Sequence, residues 1–222
     1  MVTQTGIRYH VTRAPALPDL AGPIDDPAWR DAEVARIDHF HPRTHEYRPH
    51  TEARVLHDGE RIALRFEVDD CFVRTRCTRV HGSVCVDACV EFFFEPIPGF
   101  GYFNLEVNSG GTLHLGYHDH ERDRHELVPE ELVEQLEVYG STEPVVEPEV
   151  TEPMHWFVDC RIPMSVVHAY LPGATLAGAE WRGNFYKCAS ANSQPHWAYW
   201  SPMNGRLGFH RPQYFAPIHF EA

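Results

Sequence analysis

The stretch VDACVEFFFEPIPGFGYFNLEVNSGGTLHLGY, residues 86–117, decides the fold of this chain. Read in steps of two, Val90, Phe92 and Phe94 share one face while Cys89, Glu91, Phe93 and Glu95 share the other. That is the alternation of a β-strand. The next run repeats it, with Phe103, Leu105 and Val107 on one face and the polar quartet Tyr102, Asn104, Glu106 and Asn108 on the opposite one. Gly110 and Gly111 mark a turn, after which TLHLGY reads as the returning hairpin partner.

The same period continues outward from this stretch. RIALRFEV puts Ile62, Leu64, Phe66 and Val68 on one side and Arg61, Arg65 and Glu67 on the other. WFVDCRI and WRGNFYKC supply later strands, and the terminal YFAPIHFEA can close the sheet. Strands without long intervening helices predict an all-β fold, an antiparallel two-sheet β-sandwich of immunoglobulin or jelly-roll type, spanning residues 1–222 as a single domain. Short helical excursions are expected at DDPAWRDAE, where Asp26 caps, Pro27 opens the first turn and Trp29 tucks inward, and at PEELVEQLEVYG and PMSVVHAYL. STEPVVEPEVTEP, residues 141–153, has three prolines and four acidic residues and reads as a solvated loop.

A net charge of −13 argues against nucleic acid or an anionic membrane surface as partner, because no local basic patch offsets it. MVTQTGIRYH lacks a cationic start followed by an apolar run, so the chain as given reads as cytoplasmic, or as secreted if a leader was removed. Six cysteines are too few for a disulfide scaffold at this length and are expected to be reduced thiols. Cys77, His81, Cys85 and Cys89 fall four apart, but Gly82 and Ser83 interrupt any helix there, so a zinc site on these four is not expected.

The segment WRGNFYKCASANSQPHWAYWSP, residues 181–202, gathers three of the five tryptophans among polar side chains. Aromatic faces beside amides, carboxylates and an ammonium suit a sugar, whose ring has an apolar C–H face and a rim of hydroxyls. Core packing is the competing reading. The step AYW makes Trp197 the candidate exposed ring and Trp200 the core-facing one.

Taken in order, GPIDDPAWRDAE, TEARVLHDGERIALRFEVDD, VDACVEFFFEP with YFNLEVNSGGTLHLGY, and WRGNFYKC with PHWAYWSP and FHRPQYFAPIHF resemble a stand-alone relative of the family 9 carbohydrate-binding modules, known attached to xylanases and as single-domain bacterial proteins. The resemblance spans nearly the whole chain. It implies a β-sandwich, no catalysis, a carbohydrate partner and, as a cofactor, calcium. In the xylanase modules a sugar lies between two tryptophans and is gripped by polar groups, among them the glutamate of the VE-F motif, here Glu91. Cys85 stands where the first tryptophan would be. The implied site comprises Glu91, Asn104, Glu106, Asn108, Asn184, Lys187, Trp197 and Trp200, with Lys187 also a possible ion-pair partner of Glu91. The alternative is a haem- or metal-binding member of the same sandwich class, with Met154, Met164 or Met203 and nearby histidines as axial ligands. Glu91 and Glu106 could form a catalytic pair only if their environments split their acidities, for which the sequence gives no reason.

Overall fold

A computed structural model of the protein describes residues 6–222. Two β layers pack face to face. The first runs, in spatial order, Arg124–Leu127, Leu113–Asp119, Gly101–Asn108, Cys89–Ile97, Glu180–Ala189, Ala216–Phe220 and Tyr9–Arg13. The second continues from Tyr9–Arg13 through His50–His57, Arg61–Asp70 and Met154–Pro163 to Glu137–Gly140. His196–Tyr199 pairs with the end of Glu180–Ala189, opposite the Cys89–Ile97 strand.

The expected β-sandwich is therefore what forms, with one departure from antiparallel pairing. Tyr9–Arg13 runs parallel to both neighbours, setting Tyr9 against Ile218 in the first layer and Thr12 against Leu56 in the second. This one strand carries the hydrogen-bond ladder from one layer into the other. Five residues carry too little alternation to announce that role in sequence.

Between the layers lie the residues assigned inward by alternation: Val90, Phe92, Phe94, Phe103, Leu105 and Val107 meet Ile62, Leu64, Phe66 and Val68, all at most 2% exposed. Phe92 stacks on Phe185 at 4.7 Å and Phe94 on Phe103 at 5.1 Å. Burying one such ring contributes about 1.5–3 kcal/mol.

The helices are short. Pro27–Asp31 is capped by Asp26, whose Oδ1 accepts from the Ala28 N–H at 2.9 Å, and it buries Trp29. Glu130–Val133 stops early, and the rest of PEELVEQLEVYG supplies the Glu137–Gly140 edge strand. The acidic stretch 141–153 is not wholly loop: Val146–Val150 pairs antiparallel with Val73–Thr75 in a small separate sheet. Its apolar ends Val146 and Val150 sit at the two register points, which its proline and glutamate content hides. Among the described residues no helix is long and apolar enough to cross a membrane.

Candidate functional site

The outer face of the first layer is not open. Phe93, Tyr102, Tyr186 and Tyr199 project from it and pack with Met203, Phe209 and Phe215 of the segment after the last hairpin, forming a second, smaller apolar cluster. Phe209 stacks on Tyr186 at 4.2 Å. The run EFFFE, aromatic on both faces, is the sequence sign that both faces are covered.

Where this cover stops, a cavity of about 170 Å³ remains, bounded by Cys85, Glu91, Glu106, Cys188, Trp197 and the 207–210 segment. Register assembles it. Glu91 lies opposite Glu106 on one side and Tyr186 on the other, and Cys188 lies opposite both Cys89 and Trp197. Directly opposed residues in a sheet project to the same face, so four strands deliver these side chains to one place.

Glu91 is 2% exposed, and its Oε1 accepts from the Cys188 thiol at 3.1 Å. Burial pushes its carboxyl well above the ordinary range, and the neighbouring Cys188 and Glu106 push it the same way. Glu106 is also raised by burial, partly relieved by hydrogen bonds from the Asn104 amide, at 3.0 Å, and the Cys85 thiol. Both carboxyls are therefore displaced upward, in each case first by burial. Burial likewise raises the Cys85 thiol, and takes Cys89 to about 12. Burial disfavours the charged form of each of these groups, and together they offer hydrogen-bonding partners to a ligand.

The structure gathers Glu91, Asn104, Glu106 and Trp197 at or beside this cavity and places the other four expected residues elsewhere. Asn184 shares the face but is fully buried; its Nδ2 donates to the Ser201 carbonyl at 3.0 Å and its Oδ1 accepts from the Ser201 N–H at 2.8 Å, so it pins the chain after the hairpin. Asn108 is similarly committed, donating to the Cys77 carbonyl and the Asp87 carboxylate and accepting from the Thr112 N–H. Trp200 is 9% exposed and sits in the main core against Tyr9 and Phe185, because alternation along 197–200 sends it inward.

Lys187 points away from Glu91, since odd and even positions of its strand face opposite ways. It lies between the layers, 0% exposed, with Nζ 3.3 Å from Asp70 Oδ2 and 2.8 Å from His196 Nε2. An ammonium can only donate, so His196 Nε2 accepts, and its Nδ1–H donates to the Gln194 carbonyl at 3.0 Å. Burial and the Lys187 charge hold this imidazole down at about 3. The unfolded chain protonates near 6.5 while the folded chain does not, so stability falls as pH drops below about 6.5. At about 1.4 kcal/mol per unit, His196 should account for about 2 kcal/mol between pH 6.5 and 5. The raised carboxyls of Glu91 and Glu106 act in the opposite sense, so the measurement is a difference. Urea unfolding across this range should show a flatter acid limb for His196→Gln, whose amide oxygen still accepts from Lys187.

Cys85 lines the cavity, at the position where the resemblance puts the first tryptophan, while Cys188 and the 207–210 segment form walls that the sequence reading does not include; opposition to Cys89 across the ladder is the available signal for Cys188. A larger hollow of about 680 Å³ beside Met164 has Glu60 as its one carboxylate and no Phe, Tyr or Trp, while one of about 450 Å³ beside His118 joins Tyr102, Asp119 and Asp123 to a cluster of histidines and Arg124. Met164 and Met203 are packed into apolar clusters, 6% and 8% exposed, which does not suit them to haem. Calcium needs a set of oxygen ligands. Among the described residues, the one convergent group of three or more His, Cys, Asp or Glu side chains is Cys89, Glu91 and Cys188, and its two thiols do not fit that ion. The Cys77, His81, Cys85 and Cys89 set does not converge.

A β-sandwich with a small polar and aromatic cavity on one outer face is the architecture of the carbohydrate-binding modules. Within that class the chain belongs to carbohydrate-binding family 9, whose model matches residues 28–220. A crystal structure from Bacteroides uniformis, of a protein provisionally described as carbohydrate-binding, superposes with a TM-score of 0.86 at 28% identity, covering 98% of this chain and all of that one. Two structures of a family 9 module from Caldicellulosiruptor kristjanssonii share the fold at 13% identity. The complex with cellotriose gives a TM-score of 0.66 over 97% of this chain and 94% of that one. The complex with glucose gives 0.64 over 97% and 96%. No curated protein matches the chain.

Proposed function

We propose that this chain binds one terminal ring of a neutral glycan in the Glu91 cavity and leaves it chemically unchanged. The observation that carries the reading is the partly exposed Trp197 ring beside the two buried carboxyls of Glu91 and Glu106 in a cavity of about 170 Å³. That volume is below the roughly 300–1,000 Å³ that encloses a drug-sized ligand, so a single ring enters and the rest of a longer chain stays outside. Trp197 supplies the face for the sugar's C–H groups; Glu91, Glu106 and Asn104 supply the polar rim. With Cys85 opposite, one aromatic platform serves instead of two. The family, and the sugars bound by the Caldicellulosiruptor module, support a glucose-type ligand.

A glycan array followed by isothermal titration, with glucose and cellotriose as first probes, tests this. Trp197→Ala is expected to abolish binding while the melting temperature changes little. Burial disfavours the charged form of Glu91, and glutamine keeps its shape with both a donor and an acceptor. Glu91→Gln should therefore weaken binding less than tenfold, whereas Glu91→Ala, which leaves ligand hydroxyls without partners, should cost about 1–3 kcal/mol. A Trp197→Ala protein that binds the best glycan as well as the parent overturns the reading.

A further inference from the structure

We infer that the floor of this cavity is a binding site for a soft divalent cation of the zinc class, held by the sulfurs of Cys89 and Cys188 and the carboxylate of Glu91. The three ligand atoms lie within 4.8 Å of one another, and all three residues are buried. The sheet produces the grouping: Cys188 sits directly opposite Cys89, and Glu91, two residues further along, shares their face. A metal of this class is coordinated at about 2.3 Å from sulfur and about 2.0–2.2 Å from oxygen. Tetrahedral angles at those lengths place a sulfur and an oxygen about 3.5 Å apart, against 3.1 Å for Cys188 Sγ and Glu91 Oε1. A shift of a few tenths of an ångström admits the ion.

Two thiols with one carboxylate select a borderline or soft ion over calcium or magnesium. Coordination takes the sulfurs as thiolates and Glu91 as carboxylate, and their protons pass to solvent. The cavity supplies an entry path and a fourth position facing it, bordered by Cys85 and Glu106. Asn104 donates to Glu106 at 3.0 Å, steadying the carboxyl that would face the ion. The inference does not rest on glycan binding: the cation needs the sulfurs of Cys89 and Cys188, which the sugar reading does not use, and Glu91 alone is common to both.

The test starts from full-length, reduced, metal-free protein titrated with Co²⁺ and then Zn²⁺. One equivalent of Co²⁺ should raise a thiolate-to-metal charge-transfer band in the near ultraviolet, and one equivalent of Zn²⁺ should abolish it. Cys89→Ser and Cys188→Ser should each remove the band and weaken Zn²⁺ by more than the roughly 10–100-fold that loss of an outer-shell partner costs. Trp197→Ala and Cys77→Ser should keep it, which separates this site from the glycan platform and from the 77–85 loop. X-ray absorption of the Zn²⁺-loaded parent, which needs no variant to fold, should show two sulfurs at about 2.3 Å with oxygen completing the shell. Absence of the band, its survival in the two serine variants, or a shell without sulfur overturns the inference.

Discussion

Lys187→Ala should lower folding stability by about 3–5 kcal/mol, the cost of stripping one partner from a fully buried ion pair. The ammonium is 0% exposed, is placed 5.4 Å from the centre of the Trp156 ring, donates to the Cys188 carbonyl at 3.2 Å, and neutralises Asp70 across the interface between the layers. Without it the Asp70 carboxylate keeps the Trp156 Nε1–H at 3.1 Å and the Cys71 N–H at 2.9 Å but loses its ion-pair partner. His196 Nε2 loses its donor as well. Removing both charges should recover much of the loss, so Lys187→Met combined with Asp70→Asn is expected to be more stable than Lys187→Met alone. Urea unfolding of the four proteins in a double-mutant cycle measures the coupling. A Lys187→Ala cost under about 0.5 kcal/mol, the range of ordinary surface changes, would contradict the burial described.

Trp200→Ala should be nearly as damaging, at about 3–5 kcal/mol, but by a different route. The indole meets Tyr9 edge-on at 6.0 Å and Phe185 at 5.5 Å, and the Trp200 N–H donates to the Phe185 carbonyl at 3.0 Å. Truncation leaves a cavity at the point where the first strand meets the tryptophan-rich segment, and neighbours tied into ladders relax only in part. Glycan affinity of the fraction that remains folded should match the parent, because the ring faces away from the Glu91 cavity. Three residues earlier, Trp197 carries the opposite expectation: large loss of binding, small loss of stability. Unfolding curves and titrations on both variants separate the roles, and equal stability losses would show that alternation does not govern this segment.

The period of two along residues 86–117 was enough to assign which side chains face inward, because a strand with one apolar face admits a single sensible register. The same rule separates Trp197 from Trp200. It also excludes Lys187 from the cleft, since Lys187 alternates with Tyr186 and Cys188, although an interior ammonium is rare. Partners distant in sequence were not legible. Asp70 lies 117 positions from Lys187, and nothing local to either announces the pair. Asn108 and Asn184 look like binding amides in sequence, yet each serves a backbone turn whose carbonyls and N–H groups lie out of water and must be satisfied. The cavity's thiol wall depended on Cys188 meeting Cys89, a fact of register between strands almost a hundred residues apart.

The strand Tyr9–Arg13, shared by both layers, also sets an order of events during synthesis. Its first-layer partner is Ala216–Phe220, and the Arg13 N–H bonds Glu221 Oε2 at a separation of 208 residues. The chain leaves the ribosome from its amino end, so Tyr9–Arg13 is made well before Ala216–Phe220 and waits for it before the seam can close. Until then Tyr9–Arg13 and the 180–183 part of Glu180–Ala189 each present an unpaired edge. Contacts of such long range also slow folding, because loop closure must precede their reward. Chains truncated before Ala216 should therefore be caught as open, association-prone sheets rather than as slightly shortened sandwiches.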